Sequence, residues 1–325
     1  MTTFPNLFKS PQSVAALFGL SVLALCFASC GRSSQNVVSI DDDSVVSDVS
    51  ESQEAHGDQV VPSAAEPAAS DDSPLDAAPK FDAKGVSVDF TGTAVFNGFT
   101  SDEEKARQSA IKVVVGNGPI SLEGLRSFAQ FPQLVEFRWQ NAQLPDGPDA
   151  EEAFKAFAAL PKLKKVRLTG LKLENGSFPG YVLPALAKTA NLVDLDISGA
   201  PVAAEDLAAV DLKTGFPALT KLNLYQTNAG DAGVEAVLPL ANRLTWLNFD
   251  DAKLSPASAQ NLAQFSNLTF LHVGRSTLDD SCVDSLAKLS KLEKIHVTRS
   301  NVTEEGANKL RAALPNCTVV SVPEN

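Results

Sequence analysis

This chain of 325 residues lacks the signatures of catalysis. There is no CxxC, no HExxH, no GxSxG and no phosphate-binding loop, and Gly116-Asn117-Gly118 is a turn too short for a nucleotide site. Positive charge is scarce, with 27 Lys+Arg against 39 Asp+Glu and a net charge of −12, which disfavours nucleic acid as a partner. A membrane helix is also absent from the early apolar run, because residues 14–28 make up only 15 uncharged positions and a span needs roughly 20. The acidic triplet Asp41-Asp42-Asp43 lacks the alternating spacing of a calcium loop. These absences predict a chain that is not an enzyme and that uses no metal and no cofactor.

The first 29 residues read as an address. Lys9 gives a thin positive start, the apolar run follows, and the segment ends Phe27-Ala28-Ser29-Cys30-Gly31. That ending resembles a bacterial lipobox, with Phe27 where leucine is usual. The resemblance implies lipidation at Cys30, a membrane anchor through the N-terminal lipid, and a place in the bacterial cell envelope on the extracytoplasmic side. An ordinary secretory signal cut at Ala28 or Ser29, giving a secreted protein, is the alternative. Residues 30–84 are rich in Ser, Asp, Ala and Pro. Positions 31–84 hold 12 acidic against three basic residues, with Phe81 the only aromatic, so this stretch reads as a disordered acidic tether. Once the tether's −9 and the charge of Lys9 are taken out, 85–325 carries only −4.

What is present after residue 110 is repetition. LTWLNFDDAKL at 244–254, LTFLHVGRSTL at 268–278 and LEKIHVTRSNV at 292–302 place apolar residues at their first, fourth, sixth and eleventh positions. The same pattern starts at Leu219, Leu192, Leu163 and Leu134, with a weaker copy from Ala110 (Val113, Val115 and Ile120) and a truncated one at Cys317, Val320 and Val322. The starts are 24, 29, 29, 27, 25, 24, 24 and 25 residues apart, a period that marks a solenoid. In each copy positions four and six point inward and position five outward, as in a strand. The second half of each copy takes helical spacing, as at Val283, Leu286 and Leu289. Ser255-Pro256, Asp279 or Asp280, and Thr303 with Glu304 and Glu305 read as helix starts. Two longer copies carry extra residues around 145–148 and 175–180, expected as loops.

The pattern resembles the leucine-rich repeat, LxxLxLxxNxL, over about 110–322. The resemblance implies an α/β solenoid with a curved, parallel concave sheet and convex helices. The family's ninth-position asparagine is replaced here by Ala142, Leu171, Ala200, Thr227, Ala252, Ser276 and Ser300. Residues 85–109 are expected to cap the N-terminal end of a repeat domain spanning 110–325, with strand-like alternation from Val86 and a helix from about residue 101.

The outward positions predict a binding surface. Tyr225, Trp246, Phe270, His272, Asn248 and His296 fall on consecutive strands, and rings within a polar surround are the make-up of an interface hot spot. Cross-strand packing of Trp246 on Phe270 is the competing explanation. His272 and His296, near Asp250, read as polar members of the same column and not as a metal site. Arg138, Lys165 and Arg167 form a second, basic group further toward the N-terminus. The expected function is a lipid-anchored binding scaffold for a protein or an envelope glycan, with a structural envelope protein without a ligand as the alternative.

Overall fold

The computed structural model describes residues 79–81, 86–88, 95–100 and 111–322. The signal segment 1–29, Cys30, most of the tether and the helix expected from about residue 101 lie outside the described residues. Described strands run in the order β1 (Pro79–Phe81), β2 (Val86–Val88), β3 (Val113–Pro119), β4 (Glu136–Leu144), β5 (Lys165–Leu168) and β6 (Lys172–Leu173). They continue with β7 (Asp194–Asp196), β8 (Lys221–Asn223), β9 (Trp246–Asn248), β10 (Phe270–His272), β11 (Lys294–His296) and β12 (Thr318–Val320). All stack side by side in one sheet in chain order, except β6, which pairs with β4. Every pairing from β2 onward is parallel, and only the β1–β2 pair is antiparallel. The first strand falls inside the stretch expected to be tether, so the sheet begins several residues before position 85.

The repeat pattern explains this sheet. Position-four residues pair directly across strands, Val166 with Leu195, Leu195 with Leu222, Leu222 with Leu247, and Leu247 with Leu271. All of them are buried, as are the first-position leucines Leu134 to Leu292. From Lys112 to Thr269 the second-position carbonyl of each copy accepts from two N–H groups of the next copy, as Thr220 O does from Thr245 and Trp246. The chain is an α/β leucine-rich-repeat solenoid.

Opposite the open face run α1 (Leu122–Phe128), α2 (Pro148–Ala158), α3 (Val182–Leu186), α4 (Ala204–Ala208), α5 (Gly230–Ala236), α6 (Ala259–Leu262), α7 (Val283–Leu286) and α8 (Glu304–Ala313). Ser255 and Asp279 cap 3-10 turns at Pro256–Ser258 and Asp280–Cys282, and Thr303 caps α8 through the Gly306 N–H at 3.2 Å. The extra residues of the 134 copy form a loop only over 145–147. Pro148 opens an 11-residue helix at its first position, and the strand before it lengthens to nine residues. In the next copy the extra residues do form turns around 174–180.

Both end copies are shifted by one residue from the expected register. Val114, not Val113, pairs with Phe137 at position four, so Val114 is buried and Val115 is exposed. A register shift between Asn117 and Pro119 then restores Ile120 to its expected place. At the other end Val319 pairs with Ile295, so Cys317 occupies a second position and Val322 is exposed. Runs such as Val113-Val114-Val115 are apolar on both faces, and alternation cannot choose between registers there. Cys282 and Cys317 are both free thiols, the first buried and the second half-buried.

From the 192 copy onward the missing asparagines are replaced by two local devices. Thr227, Ser276 and Ser300 donate from their hydroxyls to the sixth-position carbonyl of the same copy at 2.7–2.8 Å. Asp196, Asn223 and Asn248 at position five accept from the N–H two residues on, at 2.8–3.0 Å. The eighth position is left-handed in every full copy, with φ from 43° to 68° at Asn141, Gly170, Gly199, Gln226, Asp251, Arg275 and Arg299. Two arginines in that conformation are unusual, since only glycine adopts it without steric cost.

Candidate functional site on the open sheet face

The strands place all six expected residues on one face of four adjacent copies. Trp246 pairs with Phe270 at position three and their rings stack, 4.8 Å between centroids and 4° between planes. His272 pairs with His296 at position five, ring centroids 4.6 Å apart. Phe270 lies 5.6 Å from the His296 ring, so four rings form one continuous cluster. Trp246 and Phe270 each cover one face of the other's ring and both are half-buried. Asn248 is buried, and its Oδ1 accepts from the Asp250 N–H, so it serves its own turn.

Tyr225 belongs to a network that spans three copies. Its hydroxyl accepts from Arg275 Nη1 at 2.8 Å, and the guanidinium carbon lies 5.3 Å from the centre of the Tyr225 ring. The other end of the guanidinium, Nη2, sits 3.4 Å from Asp250 Oδ2. Asp250 is 3% exposed. Burial raises its carboxyl pKa, and the neighbouring Arg275 opposes that rise. His272 Nε2 lies 3.7 Å from Asp250 Oδ1, and neither atom has a hydrogen-bond partner. Burial lowers the His272 pKa to about 3, with His296, Arg275 and Lys294 adding to the effect, so the ring is neutral at pH 7.

Gly274 completes this group for a reason of volume. A Cβ there would stand 2.7 Å from Thr298 O, 2.9 Å from Asp250 Oδ1 and 3.0 Å from His272 Nε2. Asp250, His272 and Gly274 are therefore fitted to one another across the ends of two adjacent strands, β9 and β10, with the Thr298 carbonyl of the next copy closing the third side. Arg275 and Gly274 carry no signal of this role in the sequence, because their positions read only as turn; the cross-strand register brings them in. Among the described residues, no three His, Cys, Asp or Glu side chains converge as a metal site.

The other half of the face is different. Arg138 pairs with Glu136, Lys165 lies 3.9 Å from the same carboxylate, and Arg167 lies 3.6 Å from Asp194. The basic group expected from the sequence is thus balanced by acidic neighbours at position three.

No family model matches the chain, and no curated protein does. Among solved structures it is similar to an internalin C2 from Listeria monocytogenes, with 21% identity over 62% of this chain and 76% of that one, and a TM-score of 0.43. It is also similar to an internalin, inlF, from the same organism, with 15% identity over 72% and 74% of the two chains and a TM-score of 0.44. Neither likeness bears on what the open face takes up. Among the described residues no helix is long and apolar enough to cross a membrane.

Proposed function

We propose that this protein is a non-catalytic binding scaffold that takes a protein or envelope glycan on its open sheet face, held at the cell envelope by a lipid on Cys30. The observation that carries the reading is the ring cluster of Trp246, Phe270, His272 and His296 beside the Tyr225–Arg275 pair. Large rings placed outward beside polar groups are where binding energy concentrates, typically ~2 kcal/mol or more for each central ring. The stacking of Trp246 on Phe270 favours a second reading, in which the rings only brace the sheet and the protein is an envelope element without a ligand.

Capture from an envelope extract by the immobilised protein separates the two. Under the binding reading Trp246→Ala loses the captured partner and Lys288→Ala, on the helix side, keeps it. Equal capture by both variants contradicts it. The anchor is tested separately by mass spectrometry of the mature N-terminus, which is expected to be a lipidated Cys30; an unmodified start elsewhere removes the anchor from the reading.

A further inference from the structure

The least explained feature of the molecule is the pair of buried polar atoms at the end of the ring cluster. Asp250 Oδ1 and His272 Nε2 are screened from solvent, 3.7 Å apart and without hydrogen-bond partners. Each such atom has given up its hydrogen bonds to water without replacement, which costs stability, and nothing in the repeat pattern requires it. Other copies manage position five with Asp196 or Asn223, whose oxygens accept from their own turn. The fold has instead given up a side chain at Gly274 to make room for the pair. Buried unpaired groups of this kind call for a specific explanation.

We infer that this pair is a hydroxyl-binding site, and that the ligand of the open face is a neutral carbohydrate. The inference rests on the binding reading above and narrows it. A neutral imidazole with its proton on Nε2 is a donor, and the carboxylate oxygen is an acceptor. A sugar hydroxyl both accepts and donates, and a single oxygen making two bonds of about 2.8 Å at the tetrahedral angle bridges about 4.6 Å, so the pair opens by about 1 Å to admit it. Charged ligands fit less well. Asp250 and Asp251 are set against Arg275, which contacts both, Arg299 also acts on Asp250, and Lys294 acts on His272, so charges of both signs are interleaved around the pair and neither a cation nor an anion meets a field of one sign. The rings of Phe270, 6.5 Å from His272, and Trp246 supply apolar edges beside the polar pair. Arg275 is the neighbour that moves to admit the hydroxyl. Its side chain is a third exposed and is held at the surface, by ion pairs of 3.4 and 4.0 Å to Asp250 and Asp251 and by the hydroxyl and ring of Tyr225.

The test is an array of neutral oligosaccharides probed with the full chain, followed by calorimetric titration of the tightest binder. The expected result is binding of at least one neutral glycan, weakened at least tenfold in His272→Phe. The melting temperature of that variant should hold or rise, because an unpaired buried nitrogen is gone. A merely structural histidine would instead lower the melting temperature and spare affinity. If His272→Phe does not fold, Asp250→Asn, which keeps the shape, should weaken the glycan at least fivefold. An array on which nothing neutral binds, or only charged glycans bind, overturns the proposal, as does unchanged affinity in the variants. A blank array together with lost envelope capture in Trp246→Ala removes the carbohydrate and leaves the scaffold reading standing.

Discussion

The two halves of the solenoid place their aromatic rings on opposite sides of the same sheet. In the N-terminal copies the rings are inside. Phe96, Phe99, Phe128, Phe137, Trp139 and Phe157 form a chain of ring contacts 4.8–6.4 Å apart, almost all fully buried. Over them the open face is a set of ion pairs. In the C-terminal copies the inward positions are mostly leucine, isoleucine and valine, and the rings of Trp246, Phe270, His272 and His296 stand outward. The longer period of the first half accommodates bulk, since the 11-residue α2 contributes Phe154 and Phe157 to the core. Rings inside serve folding; rings outside in an otherwise regular 24-residue repeat are surplus to it.

The largest expected effect belongs to the inner rings. Trp139 is fully buried, donates from Nε1 to Gly118 O at 2.7 Å and takes up the space a side chain on Gly116 would need. Trp139→Ala should cost about 3–5 kcal/mol in denaturant unfolding, and Gly116→Ala about 1–3 kcal/mol through overpacking. A loss under 1 kcal/mol for Trp139→Ala would erase the contrast between the halves. Next comes the register. Leu247→Ala should cost on the order of 2–5 kcal/mol. Thr245→Ala, whose hydroxyl makes only a long 3.4 Å bond to Thr220 O, should cost about 0.5 kcal/mol or less. Equal costs would mean a strand shifted by one residue.

A third, smaller effect is pH dependence from the outer group. The folded-state pKa of His272 lies near 3, below the unfolded value near 6.5, so the unfolded chain binds the extra proton as pH falls. Stability from this site is therefore complete above about pH 6.5 and declines below it, by up to about 1.4 kcal/mol per pH unit. Between pH 6.5 and 5.5, above the range of ordinary carboxylates, the wild-type melting temperature should fall more steeply than that of His272→Phe. Parallel curves would place His272 in solvent contact. The smallest effect is on the stability of Trp246→Ala, which loses one stacked pair worth about 0.5–1.5 kcal/mol and should melt within a few degrees of wild type.

The architecture was legible from residue 134 to 302, because four apolar positions per copy recur at fixed offsets and the pairings of β4 to β11 follow them. It failed by one residue at both ends, where valines on adjacent positions satisfy either register. The site was half legible. Outward rings and histidines can be counted off the repeat, but the meeting of Asp250 with His272 and Gly274 depends on how the ends of two adjacent strands lie together. The left-handed eighth position was hidden because Arg275 and Arg299, unlike glycine, do not announce a turn. The Pro148 helix was hidden by its proline-rich start, which reads equally as loop.

The central claim is that the outward rings of the C-terminal half meet a ligand. The chain has two tryptophans, one fully buried and one on the open face, so Trp139→Phe leaves Trp246 as the sole indole. Titrating that variant with the captured partner or glycan while recording tryptophan emission reads the site directly. The account predicts a saturable change in emission that tracks occupancy. Saturable binding, established by calorimetry, with no change in Trp246 emission would contradict it.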